Sequence, residues 1–352
     1  MDAARFQSLT RKYRKLRIAV VGDFCLDRYL EIDPTKSETS IETGLSVHNI
    51  TNIRSQPGAA GTILNNLVAL GIGKIHAIGF CGEDGEGFEL RKSLQQLKGV
   101  DTTTFISTPH RRTFTYTKPL ILAAGKIPQE LNRLDAKNWS PTPVSLQKQI
   151  ISTLNPIATK VDAIILMDQV SIPETGVITR KVLKAISAIA KKHPKLLILA
   201  DSRLGLKSLP PVCLKMNAAE LASLTGSRAT LKPKQAATSA AALAKRSGHN
   251  CFVTLADKGI LGASADGTVE QLPALPLGGP IDIVGAGDAV TANLTAALAS
   301  GATLRESLQL ANAAASIVIH KLGTTGTASI NEIKTLLKGR IFQPPALHPA
   351  AE

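Results

Sequence analysis

Short, mostly apolar runs alternate with stretches of helical periodicity along most of the chain. Ile18–Val21, Ile75–Phe80, Ala163–Met167, Leu196–Ala200 and Phe252–Leu255 are apolar at odd and even positions alike apart from His76 and Thr254, as expected of strands buried on both faces. Between them, Ile178, Val182, Ala185 or Ile186, and Ile189 form a helical stripe that ends at Pro194. Thr303-Leu304-Arg305-Glu306 has the reciprocal pattern of a capping box, and Ala- and Ile-rich sequence follows it up to Gly323. An Ala-rich helix is predicted before it, from Asp288 to a C′ glycine at Gly301. Strands and helices in such alternation predict a mostly parallel sheet covered by helices on both faces.

Two stretches break the rhythm. Residues 28–56 and 102–122 are rich in Thr, Ser and β-branched residues, and Thr113-Phe114-Thr115-Tyr116-Thr117 alternates as a half-buried strand does. They predict a small β lid projecting from the main sheet, with two long surface loops as the plainer alternative. Residues 1–16 read as a basic extension whose Arg11, Lys12, Arg14 and Lys15 form a solvated or partner-contacting face. Residues 17–338 read as one domain, and 339–352 as a tail, disordered over Pro344–Glu352.

Composition changes this picture little. With 44% hydrophobic and 19% charged residues the chain is an ordinary globular protein, long enough at 352 residues for a sizeable core. No apolar run approaches the roughly 20 residues needed to span a bilayer, and no apolar signal core follows the basic start; a soluble, cytoplasmic protein with no membrane partner is expected. Cys25, Cys81, Cys213 and Cys251 are scattered without a CxxC pair, which points to reduced, partly buried thiols. The formal charge of +14 fits solubility and small anionic substrates better than nucleic acid, because aromatic residues are only 3% of the chain and offer few stacking platforms.

The chemistry concentrates at Ile281-Asp282-Ile283-Val284-Gly285-Ala286-Gly287-Asp288. Gly285 and Gly287 let the backbone approach a ligand closely, and a helix N-terminus offers unpaired N–H groups to a phosphate. Asp288 then stands where it could take a proton from a hydroxyl meeting that phosphate. A tight turn with an N-capping Asp is the bland alternative. The chain lacks the Gly-x4-Gly-Lys-Ser/Thr pattern of P-loop enzymes, and Val290 occupies the third glycine position of a dinucleotide fingerprint. No close His/Cys cluster suggests a transition metal. What remains is a set of polar residues just after predicted strands, where open α/β sheets bind ligands: Gly22, Asp23 and Asp27, then Asp168, then Asp201 and Arg203. Asn217 and Glu220, spaced three apart, would share one helical face and offer oxygen ligands to Mg²⁺ through water; taken singly, each suits a cap or surface position.

The chain resembles the ribokinase-like (PfkB) sugar kinase family over roughly residues 17–330. Asp282 through Asp288 is similar to the family's C-terminal signature. Pro57-Gly58-Ala59-Ala60, through Asn66 and Gly71 to Gly82-Glu83-Asp84-Gly85, is similar to its N-terminal one. Val21-Gly22-Asp23, Leu26-Asp27-Arg28-Tyr29, Asn132-Arg133-Leu134-Asp135, Ala311-Asn312-Ala313-Ala314-Ala315 and Lys321-Leu322-Gly323-Thr324 resemble the heptose 7-phosphate kinase branch, the kinase half of ADP-heptose synthase. The nucleotidyltransferase half has no counterpart in this sequence.

The resemblance implies a three-layer α/β/α sandwich with a mostly parallel central sheet and a small β lid. It implies ATP and Mg²⁺, leaves a monovalent cation open, and admits a homodimer through the lid. Asp288 would be the catalytic base, with Gly285, Ala286 and Gly287 presenting N–H groups to the transferring phosphoryl. Asp27, Gly58, Thr62 and Asn66 would meet the sugar, and Lys118 and Arg133 a phosphate already on it. Asn217, Thr254, Gly259 and Asn312 would line the nucleotide cleft, with Glu220 and Asn217 in the Mg²⁺ neighbourhood. The chain departs from the family at Ala59, where a second glycine is usual, at Thr62, where an Asn is expected, and at Ala289 in place of the commoner Thr. Phosphorylation of the anomeric hydroxyl of a phosphorylated sugar is expected, with another sugar, or a binding regulator without turnover, as alternatives.

Overall fold

A computed structural model describes residues 1–126, 128–203, 210–227 and 231–338. The chain opens with α1 (Ala3–Tyr13) and β1 (Arg17–Gly22), then leaves the main body as β2 (Phe24–Ile32), β3 (Glu38–Thr39), β4 (Ser46–Val47) and β5 (Ile50–Ala59). It returns through α2 (Ala60–Ala69), β6 (Lys74–Gly82), α3 (Gly85–Gln95), β7 (Val100–Asp101) and β8 (Phe105–Thr108), and goes out again as β9 (Phe114–Ile121), β10 (Gln129–Glu130) and β11 (Leu134–Ala136). The rest is α4 (Val144–Ala158), β12 (Ala163–Asp168), α5 (Arg180–Lys192), β13 (Leu197–Ser202), β14 (Cys213–Asn217), α6 (Ala218–Thr225), α7 (Pro233–Ser247) and β15 (Cys251–Thr254). It closes with β16 (Ile260–Ala263), β17 (Val269–Leu272), α8 (Ala286–Ala299), α9 (Leu304–Val318) and α10 (Ile330–Lys338).

The main sheet runs β17-β16-β15-β14-β13-β12-β1-β6-β7, with β8 also on β6, and only the β15-β16-β17 end is antiparallel. Period-two alternation explains the three layers. On β1, Ala19 and Val21 face one apolar core with Ile150 of α4, Val182 of α5 and Ala240 of α7, while Ile18 and Val20 face another with Leu64 of α2, Ala292 of α8 and Leu310 of α9. β1 and β12 are covered on both sides, which is why their sequences are apolar at odd and even positions alike. No helix of the described residues is long and apolar enough to cross a membrane, and all four cysteines are free and buried.

The lid exists, with different bounds from those expected. It is a sheet of order β10-β9-β2-β5 with β11 on β9, so it begins at Phe24, continues through Ala136, and excludes residues 100–108, which extend the main sheet. The first residues also differ from the expected extension. In α1, Phe6, Leu9 and Tyr13 are buried, Arg5 binds both oxygens of Glu306 at 2.8 and 3.0 Å, and Lys12 donates to Ser300 O at 2.7 Å. The charges hide an amphipathic helix that belongs to the domain. The predicted tail, 339–352, lies outside the described residues.

The Thr303–Glu306 capping box forms as expected, with Thr303 Oγ1 accepting from Glu306 N and Glu306 accepting from Thr303 N. The preceding helix starts earlier than expected, at Ala286 with Gly285 as its N-cap, so Asp288 lies inside the first turn and does not cap.

Candidate active site

The head of α8 is open. Gly285 sits at φ +82°, in the left-handed region, and no side chain caps the helix, so its first N–H groups have no partner in their own helix. A Cβ on Gly285 would stand 2.5 Å from Thr325 Cγ2 and one on Gly287 3.0 Å from Lys215 Nζ. Glycine is therefore needed at 285 for space and for its positive φ, and at 287 it keeps the backbone close to a primary amine. The loop before the turn is pinned by Asp282 N donating to Ile319 O at 2.8 Å and Val284 N donating to Asp282 Oδ1 at 3.0 Å.

Asp288 is raised to a pKa of about 7. Burial is the main cause and the nearby Asp201 adds to it, while Lys215 and Arg203 pull the other way. Such a carboxylate accepts a proton near neutrality. Lys215 is held by Asp201 at 2.8 Å, and Thr291 Oγ1 of α8 donates to the same Asp201 oxygen at 3.0 Å. Burial opposes the ammonium charge, and Asp201 outweighs it, so the lysine's pKa moves up and it stays charged. An open helix head, a buried cation and a neutral-range carboxylate have the chemistry to hold an anion beside a proton acceptor.

A second polar cluster adjoins this centre through Thr325, which donates to Asp27 Oδ2 at 3.4 Å. Asp27, on the lid strand β2, is buried, which raises its pKa, and Lys118, Thr325 and Arg133 act against that rise. A Cβ on Gly58 would stand 2.7 Å from the Asp27 carboxylate, so this glycine too makes room. Thr62, in the first turn of α2, is 2% exposed, with its methyl 3.6 Å from the Cβ position of Gly285. Asn66 is fully buried one turn deeper and donates to Thr62 O at 3.0 Å. This bond braces α2, while Asn66 Oδ1 is buried without a partner among the described residues.

Lys118 reaches the Tyr29 hydroxyl at 3.4 Å, and its ammonium lies 5.0 Å from the ring centroid. Arg133 is exposed, stacked on Tyr116 and bound through Nε and Nη2 to both oxygens of Asp135 at 2.7 and 2.8 Å. On the other side of the cleft, Asn217 and Glu220 make a capping box at the start of α6, at 2.7 and 2.8 Å. The cap reading is thus realised, and burial raises the Glu220 pKa. Its Oε1 accepts no hydrogen bond among the described residues, so hard oxygen is left for a hydrated Mg²⁺. No group of three or more His, Cys, Asp or Glu could hold a metal by itself among the described residues.

The remaining nucleotide candidates have structural roles. Thr254 Oγ1 donates to Met216 O at 3.4 Å, and Asn312 Nδ2 donates to Pro273 O at 2.8 Å. Gly259 has φ +94° and a Cβ there would be 2.1 Å from Leu272 O, so the β15–β16 turn demands glycine without any ligand. Asp23 is also structural, accepting from the backbone N–H groups of Gln169, Val170 and Val177 at 2.9, 3.1 and 2.7 Å. Asp168, beside it, is pushed up to about 7 by burial and by Asp23.

Sequence reasoning missed Lys215, Thr291 and Thr325. Lys215 had a signal: a lone charge inside the run Val212–Met216, where a charge survives only if paired.

A model of the pfkB family carbohydrate kinases matches residues 15–331. The bifunctional protein HldE of Trichlorobacter lovleyi is 30% identical over 92% of this chain, and that of Geotalea uraniireducens is 30% identical over 95%. The chain spans 64% and 65% of the length of those two relatives. Among solved structures, Arabidopsis thaliana ribokinase complexed with ribose and ATP has a TM-score of 0.65 at 21% identity, covering 92% of this chain and 99% of that one. Phosphofructokinase-2 from Escherichia coli in complex with substrates and products has a TM-score of 0.69 at 18% identity, with 92% and 99% covered.

Proposed function

The chain belongs to the pfkB family of carbohydrate kinases, and from that premise we propose that it phosphorylates the anomeric hydroxyl of a phosphorylated sugar such as D-glycero-D-manno-heptose 7-phosphate, using ATP and Mg²⁺. The observation that carries the reading is Asp288, a carboxyl with a pKa of about 7 in the open first turn of α8, next to the buried Lys215. ATP, when bound with Mg²⁺, supplies the phosphoryl group and a counter-charge for it. Asp288 takes the proton of the attacking sugar hydroxyl. Lys215 and the N–H groups of the α8 head hold the negative oxygens of the transferring group, so that charge is met by groups already in place. Asp27 accepts hydrogen bonds from sugar hydroxyls, and Thr325 and Gly58 fix its carboxylate in the cleft. Asn217 and Glu220 act on the metal side through water.

The lid excludes water that would otherwise compete for the phosphoryl group. Its outer face exposes Ile50, Ile53 and Leu134, and a homodimer through this face accounts for that apolar surface. The heptose phosphate assignment is supported by the likeness of residues 132–135 and 311–315 to that branch and by the HldE relatives. A kinase for a different sugar is the second reading, favoured by Thr62, whose single hydroxyl offers fewer donors than an amide. Release of ADP over a panel of sugars and sugar phosphates tests both. Turnover confined to neutral pentoses or nucleosides would replace the first reading by the second.

A further inference from the structure

The inner face of the lid is ordered in rows by strand register. Asp27 stands between Gln56 of β5 and Tyr116 of β9, and two residues further along β2, Tyr29 stands between Arg54 and Lys118. Residues opposite one another across paired strands point to the same face. Both cations do lie over the Tyr29 ring, Arg54 Cζ at 4.8 Å and Lys118 Nζ at 5.0 Å from its centroid. This face looks toward the body, since Thr324 donates to Gln56, Thr325 to Asp27 and Arg54 Nη2 to Gly323 O.

The two arginines near Lys118 differ in how much of the guanidinium is free. Arg133 spends its fork on both oxygens of Asp135. Arg54 gives only Nε to Glu31, whose other oxygen accepts from Asn52 Nδ2 at 2.9 Å. Its terminal nitrogens have one long contact, 3.4 Å to Gly323 O, among the described residues. Lys118 has no carboxylate within ion-pair distance among the described residues; its polar contact is the Tyr29 hydroxyl. Two cations with unspent donors thus share one aromatic platform, a setting suited to a phosphate dianion.

We infer that Arg54 and Lys118, on either side of Tyr29, clamp the phosphate already present on the acceptor, with Arg54 as the residue that sets the preference for phosphorylated over neutral sugars. This rests on the proposed reading of a phosphorylated acceptor and replaces Arg133 as the partner of Lys118. The row spacing of two strand residues is about 7 Å, comparable to a pyranose ring with its exocyclic arm. A sugar whose ring hydroxyls meet Asp27 therefore carries its far-end phosphate to the Tyr29 row. Glu31 and Asn52 hold the Nε edge of Arg54 and leave the terminal nitrogens for the ligand.

The test is kcat/KM for two acceptor pairs, D-glycero-D-manno-heptose with its 7-phosphate and fructose with its 6-phosphate, in the wild type, Arg54→Gln, Arg54→Lys and Arg133→Gln. Arg54→Gln should lower kcat/KM for the phosphorylated member about 10–100-fold more than for the neutral one, mostly through KM, as loss of a charge-assisted contact does. Arg54→Lys should recover part of that loss, and Arg133→Gln should show little selective effect. Equal losses for both members, or a larger selective loss in Arg133→Gln, would overturn the clamp while leaving the phosphorylated acceptor in place. A wild type that prefers the neutral member of both pairs overturns the acceptor reading itself. Should Arg54→Gln fail to fold, inorganic sulfate supplies the measurement: it should compete with the phosphorylated acceptor in the wild type, and absence of competition counts against the clamp.

Discussion

Lys215 places its ammonium 2.8 Å from Asp201 Oδ2, with the two side chains 8% and 9% exposed. Both belong to the central sheet, Asp201 one residue before the end of β13 and Lys215 two residues before the end of β14. The pair puts a fixed positive charge under Gly287 and a negative one near Asp288, and the two pull the base's pKa in opposite directions.

That opposition gives the first prediction. Only ionised Asp288 can accept a proton, so kcat should rise with pH through about 7. Asp201→Asn should move this limb to lower pH and Lys215→Met to higher pH, as pH–rate profiles will record. Shifts of the same sign in both variants would contradict the arrangement. Each single change also leaves a buried charge unpaired, at a cost of about 3–5 kcal/mol, so the profiles should be taken well below the unfolding temperature.

Removing the base itself should act on chemistry alone. Asp288→Asn is expected to lower kcat by about 10²–10⁴-fold and to leave ATP affinity within a few-fold. Turnover near that of the wild type would exclude Asp288 as the proton acceptor.

Glu220 offers a test of the metal side. Since one of its oxygens caps α6, Glu220→Gln keeps a cap acceptor and removes the charge. The Mg²⁺ concentration for half-maximal rate should rise and sugar KM should hardly change. An unaltered Mg²⁺ dependence would leave Glu220 with the cap alone.

A fourth prediction concerns stability. Ala59 has φ +54° and ψ −115° at the turn from β5 into α2, a conformation that an L side chain resists and glycine adopts freely. Ala59→Gly should release strain of about 1–3 kcal/mol, less the roughly 0.5–1 kcal/mol that glycine's greater unfolded freedom costs. A higher urea midpoint is the expected result, and a lower one would show that the surrounding structure does not strain this residue.

What the sequence revealed follows from how each element meets its surroundings. β1, β6, β12 and β13 were readable because both faces are covered and their apolar runs are broken at most by the single buried His76 of β6. β14 was not, because Lys215 breaks its apolar run, and its burial depends on Asp201 in a neighbouring strand. The lid announced itself through the alternation at residues 113–117, but its bounds did not, since residues 100–108 carry the same β-forming composition and pair instead with β6. α1 was hidden by its charges. The anion turn was legible as a motif, whereas Thr325 reaches Gly285 and Asp27 from a distant loop, a contact no local pattern can signal. Arg133 looked available by proximity to the lid, and only geometry shows that Asp135 occupies its fork.

The docking of α1 also constrains the order in which the molecule can be made. Arg5 is 301 residues from Glu306, and Lys12 is 288 from Ser300. At ribosomal rates of about 5–20 residues per second, roughly 15–60 s separate synthesis of that helix from synthesis of its polar anchors. Throughout that interval Phe6, Leu9 and Tyr13 lack α8 and α10, the helices against which α1 packs. A helix made this long before its anchors is thus among the last to settle, and a nascent chain stalled before residue 300 would present this apolar stripe to chaperones.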